Sequence, residues 1–383
     1  MKDNLEKYFN WNTWIEDIKM NENLPVLVRE RAMKALIILR KHLGEDFLKY
    51  AVKTGHPLFS VLVNRAPWTR MWLAWLGECI RRLESYKGFT NVLKEFTDVR
   101  KHEHALLVLD FAFRFAKTGF EIVFEPKVER GKKADFMIVD VNTSEKLYVE
   151  ASVLGPSKTE KEAEETMSAI TNILFQSLMG RKLLYAGRIF KYLSPLHLRD
   201  IQQRIREALD TAVNEGISEI SEPGAVELCI AREDYRKCIE DWCKRRKLKV
   251  GEIIGPPIDI NEVFRLIRKI EREQEQLDKN FLNILLLDVP VFSLRLGDIR
   301  RAINVLEEYV YRYDHILFCV ICSHYVGIPQ GRSFVYKQHF FIERELDRGM
   351  VEELLILVNR YVKDIKVSSS TLAKTLQALV ATM

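Results

Sequence analysis

Apolar residues recur at helical spacing through the first hundred positions. Val26, Val28, Ala32, Ala35, Leu36 and Leu39 fall behind Leu24-Pro25, where proline suits a first helical turn, and Gly44 ends the run. Further helices are predicted after Pro57 and Pro67. The second carries Trp68, Trp72 and Trp75 at i, i+4 and i+7, a face that reads as an inter-helix seam, with base stacking as the alternative. A denser apolar helix runs from Ala105 to Ala116 and stops at Thr118-Gly119. The period then changes to that of strands over 121–128, 134–141 and 146–154, separated by turn residues at Arg130-Gly131-Lys132 and Asn142-Thr143-Ser144. Ser157 and Glu160 have the spacing of a capping box for the next helix.

Beyond residue 182 the pattern predicts a helix over 198–214, a strand over 225–231 and a helix over 234–247. Asp259 and Glu262 then open an amphipathic helix, followed by a continuous apolar strand over 283–289, a helix over 298–309 and a second apolar strand over 315–322. Such alternation belongs to a buried, partly parallel sheet. Two helices are expected to finish the chain. The fold class that follows is α/β, with a helical region over 1–100 and an α/β core over 101–383 that carries a mainly helical insertion at about 182–258.

Composition narrows the function classes. Only 17 Gly and 11 Pro in 383 residues exclude a collagenous or low-complexity chain. No apolar stretch approaches the ~20 residues of a membrane span, so no membrane partner is expected. The first residues lack the apolar run of a secretory leader, and six scattered Cys do not make a disulfide framework, so the expected location is cytoplasmic. Residues 1–100 hold 17 Lys and Arg against 12 Asp and Glu, which places the whole excess of +5 in the N-terminal quarter. That balance permits a nucleic-acid partner without requiring one.

The hairpin over 134–153 carries the most chemistry. With Asn142 to Glu145 as its loop, Val141 opposes Lys146 and Asp135 opposes Ser152, so Asp135, Glu150 and Ser152 share one face. Phe136, Ile138, Leu147, Val149, Ala151 and Val153 form the other, wholly apolar face. Two neighbouring half-buried carboxylates repel unless a cation or a shared proton relieves them, and a hard divalent ion such as Mg²⁺ suits oxygen ligands. The bland reading pairs each acid with Lys132, Lys133 or Lys146 beside the turn.

Helix, three-stranded meander with Asp on the second strand and Glu on the third, then helix: in this order the chain resembles the PD-(D/E)XK nuclease superfamily. The matching residues are Asp135 in Ala134-Asp135-Phe136 and Glu150 in Tyr148-Val149-Glu150-Ala151-Ser152. The resemblance covers about residues 101 to 180 and implies a restriction-endonuclease-like mixed sheet flanked by helices. It also implies Mg²⁺- or Mn²⁺-dependent phosphodiester hydrolysis, with Asp135 and Glu150 as metal ligands and Glu103 on the preceding helix as a further one. Nucleic acid is the implied partner, DNA ahead of RNA, with a homodimer in keeping with duplex-cutting relatives. One departure stands out: the family's Lys position is Ser152. Lys158, Lys161 or Lys133 would have to take its place, with Lys158 carried as the catalytic candidate. The alternative is a catalytically degenerate member that binds nucleic acid or protein partners without cleavage.

Other signals have simpler explanations. His102, Glu103 and His104 at i and i+2 on a helix do not converge on one ion, so only Glu103 is retained as a ligand. Cys319 and Cys322, three apart in a strand, point to opposite faces and read as core thiols rather than half of a zinc site with His324. The basic run Lys244 to Lys249 suits a helix C-terminus, with phosphate contact as the second reading.

Overall fold

The computed structural model describes residues 6–128, 133–155, 157–178, 182–256, 262–289, 296–336, 339–347, 349–359, 361–362 and 367–381. The chain splits into two compact units, one made of Met1–Gly155 with Glu262–Met383 and the other of Pro156–Asn261.

The first unit opens with seven helices, α1 (Trp11–Lys19), α2 (Val26–Leu43), α3 (Phe47–Thr54), α4 (Pro57–Val63), α5 (Pro67–Leu83), α6 (Phe89–Thr97) and α7 (His102–Lys117). Pro57 and Pro67 stand at helix starts, where a missing N–H costs nothing, and Gly44 closes α2. The meander β1 (Phe120–Phe124), β2 (Phe136–Asp140) and β3 (Lys146–Val153) follows. The second unit holds α8 (Lys158–Leu178), β4 (Leu183–Ile189), α9 (Pro195–Glu215), β5 (Ile217–Glu222), β6 (Val226–Arg232), α10 (Arg236–Arg246) and β7 (Ile253–Ile254). The chain then returns to the first unit through α11 (Glu262–Glu273), β8 (Asn283–Asp288), α12 (Leu296–Val310), β9 (Ile316–Val326), β10 (Ser333–Tyr336), β11 (His339–Asp347), β12 (Met350–Val358) and α13 (Ser369–Val380).

Eight strands of the first unit form one mixed sheet in the order β1-β2-β3-β8-β9-β12-β11-β10. The meander is antiparallel, β3, β8 and β9 run parallel, and the remaining pairs are antiparallel. The continuous apolar runs of β8 and β9 arise because both faces are covered. Ile284, Leu286 and Val320 pack with Val149, Ala151 and the α7 residues Val108 and Ala112. Leu285, Leu287, Cys319 and Ile321 pack on the other side with Leu266 and Ile270 of α11 and Ile303 and Leu306 of α12. Cys319 and Cys322 thus belong to opposite faces, as their spacing requires. Leu36, Leu73 and Ile80 share the first of these cores, so the helical N-terminal region and the sheet form one body.

One expectation is extended and one needs correction. The insertion expected at about 182–258 lies within a compact unit spanning 156–261, whose helices are joined by a four-stranded sheet, β5-β6-β4-β7. Its first helix is opened by the expected capping box, with Glu160 N donating to Ser157 Oγ at 3.0 Å and Ser157 N to Glu160 Oε2. The chain also finishes on three antiparallel strands and one helix rather than two helices. The charges within 343–353 obscured this, although Arg344 and Glu352 are matched across strands; Glu343 instead opposes Glu353, and burial together with the Glu343 charge pushes the Glu353 carboxyl up to about 7.

A buried ion network fixes α7 to the sheet. Arg114, with no exposed surface, donates Nε to Asp110 Oδ1 at 3.0 Å and Nη2 to Asp110 Oδ2 at 2.6 Å, and also binds Glu352 Oε1. Arg344 donates Nε to Glu352 Oε2 at 2.8 Å and Nη2 to the Ala381 carbonyl at 2.9 Å, beyond the end of α13. His324 Nε2 lies 3.3 Å from Glu352 Oε1. Burial alone would raise the Glu352 carboxyl, but Arg114, His324 and Arg344 together hold it far below the usual carboxylate range. Removing one partner of such a pair strands the other charge in the interior. Arg114→Met is therefore expected to lower the free energy of unfolding by about 3–5 kcal/mol, read from urea denaturation. A loss below about 1 kcal/mol, the level of an exposed ion pair, would show that the network does not anchor α7.

Candidate functional site

The meander turns earlier than expected. Phe136 pairs with Val149 and Val139 with Lys146, and Asp140 N donates to Glu145 O at 2.9 Å, so the loop begins after Asp140. Asp140 sets this turn by accepting from Asn142 N at 3.1 Å, Lys374 Nζ at 3.0 Å and Thr371 Oγ1 at 3.0 Å. The register differs by two residues from the one that opposes Asp135 to Ser152. A shift of two preserves the faces. Phe136, Ile138, Leu147 and Val149 therefore share the apolar core as expected, and Glu150 is the β3 residue level with Asp135.

Asp135 stands one residue before β2, so the N–H of Ala151 that points toward β2 has no backbone acceptor opposite it. The carboxylate supplies one: Asp135 Oδ2 accepts from Ala151 N at 2.7 Å. Its other oxygen, Oδ1, lies 3.2 Å from His104 Nε2, on the first turns of α7. The far ring nitrogen of His104 is 3.6 Å from Glu95 Oε2, and the Ala151 carbonyl is a further polar contact of the ring. Burial pulls the His104 pKa down, but hydrogen bonding and charge from Asp135, with Glu95 and the Ala151 carbonyl behind them, produce a net rise above 6.5.

His104, set aside from sequence, is the group the fold brings to Asp135. The geometric objection to His102-Glu103-His104 as a chelate holds: the three diverge. His102 turns inward, its Nδ1 donating to Phe96 O at 3.0 Å and its ring lying 4.5 Å from that of His56, and burial lowers its pKa to about 4. Glu103 is exposed, and its charge is felt at Asp288. The signal that would have found His104 is its place on the first turns of a helix that crosses the mouth of the meander, which needs tertiary structure to see.

The remaining predicted residues fall as follows. Glu150 and Ser152 are each 7% exposed on β3. Lys133 is engaged by Glu125 at 2.7 Å, and Lys132 lies outside the described residues. Lys158 and Lys161 begin α8 in the second unit, where Lys158 pairs with Glu162 at 3.6 Å and is 89% exposed. A carboxylate missed from sequence, Asp288, ends β8 opposite Val153. Burial lifts its pKa to about 6, against His324 and helped by Glu103 and Asp110. Asp288 thus ends its strand on the face of Val153, beside α7, whereas Glu150 stands opposite Leu285 and alternates onto the other face.

Asp110, His324 and Glu352 also offer ligand atoms within 4.8 Å of one another. There, however, both oxygens of Asp110 are bound by Arg114, and Glu352 is shared between Arg114 and Arg344. A cation would have to displace buried guanidinium groups, so this cluster is the anchor of α7 rather than a metal centre. Among the described residues, Asp135 is met by an imidazole and a backbone N–H.

The His104–Asp135 pair can be read directly by histidine NMR titration. Asp135→Asn removes the charge that raises the imidazole while leaving the burial that lowers it, so the His104 pKa is expected to fall from above 6.5 to below it. Because the folded value exceeds the unfolded one, the pair stabilises the fold fully below about pH 6.5 and loses that contribution as the pH rises through the raised value. An unchanged His104 titration in Asp135→Asn would mean that the pair does not form. No protein-family model, curated protein or solved structure matches the chain, so the functional reading rests on these residues.

Proposed function

We propose that the chain is a metal-dependent phosphodiesterase acting on nucleic acid, with its centre at Asp135, Glu150 and His104. The observation that carries this reading is the convergence of His104 from α7 on the Asp135 carboxylate, beside Ala151, the residue after Glu150 on β3. The helix, meander and parallel continuation through β8 and β9 support it as an arrangement like that of the PD-(D/E)XK nucleases. The donor set fits a divalent ion: two carboxylates and a backbone carbonyl suit Mg²⁺ or Mn²⁺, and one imidazole shifts the balance toward Mn²⁺. Such an ion supplies Lewis acidity toward a phosphodiester and its water nucleophile.

The chain's own residues do the rest. Ala151 N–H fixes the Asp135 carboxylate in the plane of the sheet, so one oxygen stays directed at the site. Asp135 and Glu95 favour the protonated His104 ring, which would have to give up that proton to become a ligand, so binding of the ion weakens in acid. Burial at 7% exposure keeps bulk water from Glu150.

A second reading, a degenerate member that binds without cleavage, is favoured by Ser152 at the family's Lys position and by Lys133 being held by Glu125. One assay separates the two. Purified protein with Mn²⁺ or Mg²⁺ is expected to cut single- or double-stranded DNA or RNA, Asp135→Asn and Glu150→Gln to abolish cutting, and His104→Ala to lower it by about 10–100-fold. Metal-stimulated cleavage that survives Asp135→Asn would refute the site. No cleavage of any substrate by the wild type would leave the binding reading in its place.

A further inference from the structure

Where α2 crosses α5 the helices touch backbone to backbone. A Cβ on Gly77 would lie 2.5 Å from Ala35 Cβ and 2.6 Å from its Cα, so only glycine allows this approach. Over the crossing lies a half-open groove of about 1030 Å³, above the range of ~300–1,000 Å³ that encloses small-molecule ligands. Its floor includes Trp72 and Trp75, half-buried, with ring centroids 5.9 Å apart and planes inclined by 50°. Cations line it from three elements: Arg31 and Lys34 one turn apart on α2, Arg81 and Arg82 near the end of α5, and Lys117 at the end of α7. Among the described residues Glu78 is the one acid of the lining, and it is held by Arg81 at 2.5 and 2.9 Å. The groove therefore carries a net positive charge around two indoles, most of it from the quarter of the chain that holds the basic excess.

We propose that this groove binds single-stranded nucleic acid, with unpaired bases against Trp72 and Trp75 and backbone phosphates at Arg31, Lys34 and Arg81. An acidic peptide would meet the cations and leave the indole faces without a partner, and a lipid surface would need a wholly apolar wall between them. Bases and phosphates in alternation satisfy both, since every base has a face to stack and every linkage a charge. The site goes beyond the carboxylate centre and uses none of its residues.

The test is fluorescence anisotropy of the full chain with a labelled oligothymidylate of about 20 nucleotides, in EDTA so that no cleavage enters. Binding at about 50 mM salt should weaken steeply with added salt. Arg31→Glu with Lys34→Glu, both exposed, should lower affinity at least tenfold and flatten the salt slope. Trp72→Ala should lower affinity about tenfold, as loss of one stacked base would. Lys49→Glu with Lys53→Glu, an equal charge change on exposed positions of α3, should change affinity less than twofold, and thermal melts confirm that each variant folds. The proposal is overturned by absence of binding at low salt, by equal losses in the two double variants, by duplex binding as tight as single strand, by ATP displacing the oligomer at the oligomer's own concentration, or by phosphatidylserine vesicles occupying the site in preference to it. None of these outcomes depends on cleavage, so failure here leaves the carboxylate centre to its own assay.

Discussion

The rest of the first unit depends on where α7 sits, and a buried guanidinium decides that. Arg114 binds Asp110 one turn back on its own helix and Glu352 on β12, and Arg344 closes the network onto the carbonyl of Ala381. Hydrophobic contact holds α7 against the sheet but tolerates small rotations and slides. Bidentate ion pairs do not, because a displaced charge would be left unsolvated in the interior. His104 lies ten residues earlier, about 15 Å along the helix. Its reach to Asp135 is thus set by an anchor near the helix's other end, and the carboxylate centre and the ion network are two ends of one rigid element.

The same helix shows how position divides residues of one type. His102 and His104 are two apart, so they leave the helix on different sides. One enters a shell of His56 and Phe96, where burial keeps it neutral; the other meets Asp135 and Glu95, whose charges outweigh burial and favour the protonated ring. A comparable division separates the two acid clusters. Around Glu352 arginines already neutralise the carboxylates, which makes the cluster structural. At Asp135 the cation found among the described residues is a titratable imidazole.

Much of this was legible in the sequence, and the failures have physical causes. Proline at helix starts, Gly44 and the Ser157–Glu160 box are local signals, and they located α2, α4, α5 and α8 because their energetics involve only near neighbours. The apolar runs of β8 and β9 announced strands buried on both faces. Alternation along β3 assigned Glu150 and Val149 to opposite faces, and it survived a misplaced turn because the error was an even number of residues. What was lost depends on distant partners. Glu352 and Arg344 look like surface helix charges until their strands pair. Asp140 shortens the hairpin through Thr371 and Lys374, more than two hundred positions away. His104 has no local mark that distinguishes it from a solvated helix start.

The proposal that His104, Asp135 and Glu150 form one divalent-metal centre is open to a direct test: crystals of the full chain soaked in Mn²⁺ near neutral pH, with anomalous scattering recorded at the manganese edge. A peak bonded to His104 Nε2 and the Asp135 carboxylate, with Glu150 turned toward it, is expected. A peak instead among Asp110, His324 and Glu352, or none while His104 remains hydrogen-bonded to Asp135, would contradict it.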